Sequence, residues 1–599
     1  MKDLNRLNKF LFRYKGTIAL GALFLTVSNF FLIWIPVLIR DTMDRVEILA
    51  KNVDADFDSL WNVLFSGESG SILAYNSLLL IGTVALYGIL LFATRQTLIV
   101  SSRKIEFDIR NLILDKLLTL PQKFYVSNKS GEIYVKATED VSRVREYFGP
   151  VLMYTVNTLT RAGFIITMML IVNPKLTFWA LIPLPFLSVF AYWVSGFINK
   201  YQTIIQEQYS NIAGRAQEAF SSIRLIKAFN REDYEQKHFE KESESYRVKK
   251  LRLDMVESMF HPTLNLLIGT AVLIVIWQGG KMVIDGLITI GNIAEFVIYV
   301  AYLTWPVASL GYTVNRFQKS LASWHRIVEL LDHPVDIKDE KPELLIDKEM
   351  EGQIEFRNTG FKYPGSEEFA IEGITLTIEA GSNVAIVGRT GAGKTTLVQL
   401  IPRLFDSDTG NILIDGVDIK LWKLDSLRSQ IGYIPQETFL FSTTLDENIA
   451  FGVENATQHE IEEAAKNSEI LDNILEFEKK FKTMVGERGI TLSGGQKQRT
   501  AIARALIKKP KILILDDSLS AVDTNTENRI LQNLNKIYGS VTTILISHRI
   551  STVKNADKIY YLEEGKIVES GSHDKLIERK GRYASMYKKQ LIEQELAEI

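Results

Sequence analysis

The run "NVAIVGRTGAGKTTLVQLI" (383–401) decides the fold of half the chain. After Asn383, residues 384–388 are an unbroken apolar run, the pattern of a buried strand. Gly388, Arg389, Thr390, Gly391, Ala392, Gly393, Lys394 and Thr395 then fit G-x-x-x-x-G-K-[ST] in full. The glycines let backbone N–H groups close around phosphate oxygens, and the helix that opens at "KTTLVQLI" turns its positive end toward the anion. Lys394 is expected to reach the β- and γ-phosphates. Thr395 is expected to ligate Mg²⁺ through its hydroxyl, with Thr396 beside it in the cradle. The motif alone has false matches; between a strand and a helix it is specific.

Outward from this loop the pattern repeats. β-type runs appear at "QIEFRN" (353–358), "KILILD" (511–516) and "VTTILIS" (541–547), and helical segments separate the later ones. That alternation predicts an α/β domain with a parallel sheet from about Glu351 to the end, 351–599. "KILILDD" (511–517) is an apolar strand ending in carboxylates, and Asp516 is placed to hold the shell of the Mg²⁺. "LSGGQKQR" (492–499) puts small residues at the start of a helical run, a second candidate anion site.

Before residue 330 the composition changes. Thr17–Ile39, Ile72–Thr94, Leu176–Asn199 and Ser258–Gly280 contain no Asp, Glu, Lys or Arg. Pro150–Pro174 carries only Arg161, and Gly286–Asn315 only Glu295. A bilayer core takes about 20 apolar residues of helix, so 1–330 reads as an all-α domain of six spanning helices, with 331–350 as a linker. The stretch 101–149 holds nine Lys/Arg and 200–257 holds eleven, whereas 40–71 holds three against seven acids. The positive-inside rule places the N-terminus and both long loops in the cytoplasm. These loops have helical spacing and read as paired struts reaching about 30 Å beyond the bilayer. The first span lacks a small-residue cleavage site and is expected to stay in the protein.

The balance of charge narrows the function. Lys plus Arg is 69 and Asp plus Glu is 71, a net charge of −2. No basic surplus is available to neutralise a nucleic acid, and no nucleic-acid partner is expected. The chain has no cysteine, which excludes disulfide scaffolds, thiolate metal sites and cysteine nucleophiles.

Six spans followed by one nucleotide domain with LSGGQ resemble a half-transporter of the ATP-binding-cassette exporters, over nearly the whole chain. The cytoplasmic runs "SNKSGEIYVKATEDVSRVREY" and "QEAFSSIRLIKAFNRE" are similar to the segments around the coupling helices of that group. The resemblance implies the type IV exporter fold, ATP and Mg²⁺ as ligands, and a bacterial inner membrane as the location. It also implies a role for single residues. Tyr363 in "FKYPG" matches the aromatic that stacks on adenine. Gln436 in "YIPQE" matches the glutamine that links Mg²⁺ and the attacking water to the membrane domain. Glu487 in "VGERG" matches the loop that senses the coupling helices. Asp523 in "SAVD" matches the loop at the dimer interface, and His548 in "ISHR" the switch histidine at the γ-phosphate. Ser493, Gly494, Gly495 and Gln496 match the signature that closes on ATP held by a second half-transporter.

One residue departs from the family. After its Mg²⁺-site Asp the family has Glu; here stands Asp517. A carboxylate one methylene shorter holds the attacking water poorly, and general-base terms are worth about 10²–10⁴ in rate. An intact signature beside a weakened base resembles the degenerate-site member of bacterial heterodimeric multidrug exporters. A homodimer in which Asp suffices is the plainer alternative.

Substrate is least legible. Phe296, Tyr299, Tyr302, Trp305 and Tyr312 on the sixth span would suit apolar or cationic molecules if they lined a pore, and interhelical packing if they did not. Glu295 is an intramembrane acid and so a functional candidate by default, but its place near the outer start of its span favours a solvated interfacial position. Arg161 either lies near the inner interface or pairs within the bundle. The acidic stretch 40–71 reads as an extracellular cap or a solvated excursion. Residues 1–16 leave no room for the peptidase domain of bacteriocin exporters. The expected function is ATP-driven export of amphipathic small molecules. The alternatives are lipid flipping, siderophore-type import on the same scaffold, and a cassette protein that transports nothing, against which the six spans weigh.

Overall fold

The computed structural model describes residues 2–51, 67–339, 343, 345–486, 489–537 and 541–597. The chain divides into two units. The first comprises Met1–Leu117 and Gly131–Asp332, the second Leu118–Ser130 and His333–Ile599. Glu487 and residues 52–66 of the acidic outer stretch lie outside the described residues.

The first unit is helical: α1 (Lys2–Arg13), α2 (Lys15–Lys51), α3 (Gly67–Thr119), α4 (Leu152–Val172), α5 (Pro174–Leu181), α6 (Pro183–Ser221), α7 (Glu232–Ile284) and α8 (Ile290–Leu331). Five of the described helical stretches are long and apolar enough to cross a membrane. The other expected span, Leu176–Asn199, is shared between α5 and α6. The break falls at Ile182, because Pro183 and Pro185 lack the N–H groups that would continue the ladder. Prolines elsewhere, Pro36 in α2, Pro262 in α7 and Pro306 in α8, are absorbed within long helices, as membrane helices tolerate when neighbours satisfy the freed carbonyl. The core of the bundle joins Ile33, Ile165, Met169, Val275, Phe296 and Tyr299.

Glu295 is not solvated. It is 0% exposed and receives Arg40 Nη1 at 3.1 Å and the Tyr299 hydroxyl at 3.0 Å. One turn along, Asp44 accepts from Gly291 N and the Thr289 hydroxyl, each at 2.9 Å. A Cβ at Gly291 would lie 2.5 Å from Asp44 Oδ1, so only glycine lets the two helices meet there. The end of α2 is thereby pinned to the start of α8. Arg40 keeps 24% of its side chain exposed, which puts the pair between a surface and a fully buried one. Arg40→Leu is therefore expected to cost roughly 2 kcal/mol by stranding the glutamate. The double change Arg40→Leu with Glu295→Leu should recover much of that loss. Thermal unfolding of the three purified forms checks this; a double variant less stable than Arg40→Leu would contradict it.

The sixth-span aromatics separate into two groups. Phe296 and Tyr299 are fully buried packing residues. Tyr302 and Tyr312 lie beneath the guanidinium groups of Arg161 (4.9 Å) and Arg316 (4.4 Å). Those two ring faces are covered by the protein's own cations, and Trp305 is largely exposed.

In the second unit a six-stranded sheet has the order β10-β9-β3-β8-β7-β6. Its strands are β3 (Asn383–Gly388), β6 (Ile431–Ile434), β7 (Ile512–Asp516), β8 (Thr542–Ile546), β9 (Lys558–Glu563) and β10 (Lys566–Gly571). All neighbours are parallel except β9 and β10. Alternate residues feed two cores. Val384, Ile386, Ile512 and Ile514 pack with Leu397 and Val398 of α9 (Lys394–Gln399) and with an antiparallel sheet. Ala385, Val387, Leu513 and Leu515 pack against α10 (Gly494–Leu506) and α11 (Thr524–Ile537). The antiparallel sheet has the order β2-β1-β4-β5, from β1 (Ile354–Phe361), β2 (Ile371–Ile378), β4 (Thr409–Ile414) and β5 (Val417–Asp418). "QIEFRN" belongs to this sheet and not to the parallel one.

Candidate nucleotide site

The carboxyl ends of β3, β8, β7 and β6 lie side by side, the edge at which open parallel sheets take their ligands. Register fixes the order: Ile386 is opposite Ile546, Asp516 opposite Ile546, and Leu515 opposite Ile434. Gly388, Asp516, His548 and Gln436 therefore leave one edge together.

The loop after β3 is built from backbone that only glycine adopts without strain. Gly391 and Gly393 have φ of 83° and 95°. A Cβ at Gly393 would meet Ala370 O at 2.6 Å. Arg389 and Thr390 stay exposed, while Ala392 is buried. Lys394 is 6% exposed, and its Nζ donates to Gly388 O and Arg389 O at 2.9 Å each. The loop thus folds around its own ammonium. Burial pulls that ammonium below the usual lysine range, and Asp517 and Asp516 oppose the shift. The Tyr363 hydroxyl is hydrogen-bonded to Thr396 Oγ1 at 3.0 Å, and its ring packs edge-on to Phe361 and Phe405. Phe405 was not singled out in the sequence. Its signal is its distance from the motif: only packing links it to the loop.

Asp516 is 1% exposed. Its Oδ1 accepts from the Thr395 hydroxyl at 3.1 Å, and its Oδ2 is buried without a protein partner. Burial pushes this carboxyl up to about 6; the Thr395 bond works against that, Asp517 adds to it and Lys394 opposes it. A carboxylate held dry with one oxygen unsatisfied fits a divalent cation. The donor set, one carboxylate and one hydroxyl with an exposed amide at Gln436, suits Mg²⁺, which leaves the rest of its octahedron to phosphate oxygens and water.

Asp517 turns out of the strand with φ 47°. Its N–H donates to Ile546 O at 2.9 Å. Asp and Asn enter this left-handed region more readily than other non-glycine residues. His548 follows on the neighbouring strand, half-buried. Burial lowers its imidazole below the usual range, Lys394 adds to that, and Asp517 works against it. That shift favours the neutral ring, which can donate from one nitrogen and accept at the other.

The signature residues stand at the start of α10. Ser493 caps that helix: its Oγ accepts from Gln496 N at 3.3 Å, and Gln496 Oε1 accepts from Ser493 N at 2.9 Å. Ser493 and Gly494 are exposed. Among the described residues, no hydrogen bond joins Ser493 to the loop of Lys394. Asp523 is also exposed and accepts from Thr526 N at 3.0 Å at the start of α11. Gln498, passed over in the sequence although it lies in "LSGGQKQR", is buried and links the two regions. Its side chain holds the Ser520 hydroxyl at 3.2 Å and Ala521 N at 2.9 Å, and Ser520 Oγ donates to Asp517 O at 3.0 Å.

With this geometry the comparisons with known proteins agree. The family model for the ABC transporter transmembrane region matches residues 17–307, and that for the ABC transporter nucleotide domain matches 371–520. The chain is 34% identical over 560 residues to the probable multidrug resistance ABC transporter ATP-binding/permease protein YheI of Bacillus subtilis, covering 92% of this chain and 95% of that one. The chain belongs to the ABC transporters. This ABC half-transporter is also 34% identical to the multidrug resistance-like ATP-binding protein MdlA of Escherichia coli, over 88% of each chain. It is 34% identical to the ATP-dependent lipid A-core flippase of Hahella chejuensis, over 86% of this chain and 88% of that one. A solved bacterial Atm1-family ABC exporter with ATP bound superposes with a TM-score of 0.74 at 26% identity, over 97% and 99% of the two chains. The transporter is thus of the exporter type, with an ATP-binding domain coupled to a helical membrane domain.

Proposed function

We propose that this half-transporter exports amphipathic small molecules as the degenerate-site member of a heterodimer in a bacterial inner membrane, with its N-terminus and cassette in the cytoplasm. Residues 1–330 form the path, 331–350 the linker and 351–599 the cassette. The observation that carries the reading is the pairing, in one chain, of a capped and exposed LSGGQ helix with Asp517 in place of Glu. ATP binds through Tyr363 and the loop 388–396. Asp516, Thr395 and Gln436 would hold Mg²⁺, which supplies charge neutralisation at the phosphates. Ser493–Gln496 complete the partner's site, where a longer base works. The names of the multidrug relatives support the substrate class; the flippase relative supports a lipid-like amphiphile as the nearest variant. The test is ATP-dependent dye uptake into inside-out vesicles carrying the chain with and without its partner. Full activity from the chain alone, or movement in the opposite direction, would overturn the proposal.

The metal reading has its own check. A proton competes for Asp516 below pH about 6, and a metal ligand must be deprotonated. Mg²⁺ enhancement of ATP binding is therefore full at pH 7.5 and weakens as the pH falls through 6, approaching about tenfold per unit below it. A Mg²⁺-free titration corrects for protonation of ATP itself. Asp516→Asn should remove both the enhancement and its pH dependence; the same slope in that variant would reject Asp516 as the ligand.

A further inference from the structure

The buried carboxylates described in the membrane unit are all paired, whereas one half-buried arginine is not. Glu295 has Arg40, Asp140 has Arg326, and Glu106 has Arg103, Arg110 and Arg145. Arg161 has no carboxylate among the described residues. It lies near the middle of the span 150–174, about 16 Å of helix from one end and about 20 Å from the other, which argues against an interfacial position. Its guanidinium rests on the Tyr302 ring at 4.9 Å, and its Nε is buried without a hydrogen-bond partner. The ionisable groups that act on its charge are the phenols of Tyr87 and Tyr302. On the preceding turn of the same helix, Asn157 Oδ1 and Thr160 Oγ1 accept from Asn29 Nδ2 at 3.0 and 2.7 Å, a polar patch between α2 and α4. An intramembrane arginine is costly to keep and marks a functional position by default. Stacking on one phenol does not neutralise it; an anion would, and in a low-dielectric setting the attraction is strong.

Building on the export reading above, we infer that Arg161 holds the anionic head, a carboxylate or phosphate, of the amphiphile that the transporter moves. Arg161 stands in an otherwise uncharged helix whose half-buried Ala162, Phe164, Ile166 and Met168 border the bundle core, a setting that suits an attached chain better than a free inorganic ion. This reverses the cationic preference that the aromatic stripe of the sixth span suggests, since Arg161 and Arg316 already cover two of those rings.

The test uses the assembled transporter in phosphatidylcholine nanodiscs and three probes with one dodecyl chain: dodecyl phosphate, dodecyl glucoside and dodecyltrimethylammonium. Binding is counted by native mass spectrometry. The unmodified transporter is expected to bind the phosphate probe at least tenfold more tightly than the cationic one. Arg161→Gln should weaken the phosphate probe by roughly tenfold to a hundredfold and spare the glucoside; Arg161→Lys should keep part of the preference. Equal affinity for the three heads in the unmodified protein overturns the inference without recourse to any variant, as does unchanged phosphate binding in a folded Arg161→Gln. Inorganic phosphate that competes as well as dodecyl phosphate would remove the amphiphile from it. Vesicle uptake is scored separately: selective binding without uptake keeps the site and rejects export.

Discussion

Ser493→Ala in the assembled complex is expected to lower ATP turnover about a hundredfold, while Asp517→Asn leaves most of it. The Ser493 Oγ spends a lone pair on Gln496 N, so its O–H remains free to donate to a phosphate oxygen of the opposing site. Removing one such donor from a preorganised anion site costs about 10²–10³ in rate. It also costs about 1 kcal/mol of helix cap. Ser493→Thr separates the two effects, because it keeps both hydroxyl and cap. Asp517→Asn is a clean control, since Asn accepts the left-handed backbone at φ 47° as readily as Asp. On the heterodimer reading it alters the site that is already slow. Steady-state hydrolysis of the three variants decides: loss of turnover in Asp517→Asn with none in Ser493→Ala would exchange the roles of the two sites.

The two halves of the chain are legible in the sequence to different depths. The runs 383–388, 511–516 and 541–547 lie within a residue of β3, β7 and β8, because strands buried on both faces are written as continuous Val, Ile and Leu. The short β6, "IGYI", carries a glycine and a tyrosine and has no such signature, although it brings Gln436 to the site. β1 reads as a strand, yet nothing local shows that its partners β2 and β4 form a separate sheet. The division at Ile182 was available in "IPLP" but hidden by hydropathy, which does not see proline. Glu295 was misread because its partner Arg40 is 255 residues away; ion pairs across a bundle have no local period. The phosphate loop was clear throughout, since its glycines, Lys394 and Thr395 are demanded by backbone geometry and charge within eight residues. The bond path from Gln498 through Ser520 to Asp517 needed coordinates. It joins α10 to the loop after β7 at the backbone carbonyl of Asp517.

The site at Lys394 and Asp517 is expected to keep its ATP through many turnovers of the other. The attacking water needs a base within about 2.6–3.2 Å, and a carboxylate one methylene short leaves it loosely held, while the groups that bind nucleotide are intact. A nucleotide that stays bound biases the dimer toward its closed form and does not drive the cycle by itself. Asp517→Glu restores the reach, but glutamate enters the left-handed region less readily than aspartate, and that strain works against the gain. Hydrolysis in this site should therefore rise by about tenfold, short of the full ~10²–10⁴ of a general base. Transport should not rise in proportion, because each added turnover releases the clamp. Trapping the complex with labelled ATP, washing, and following release from each site reads both claims. Slow release from one site that Asp517→Glu makes fast supports the clamp; rapid and equal release from both sites in the unmodified complex would leave Asp517 as a substitution the left-handed turn simply accommodates.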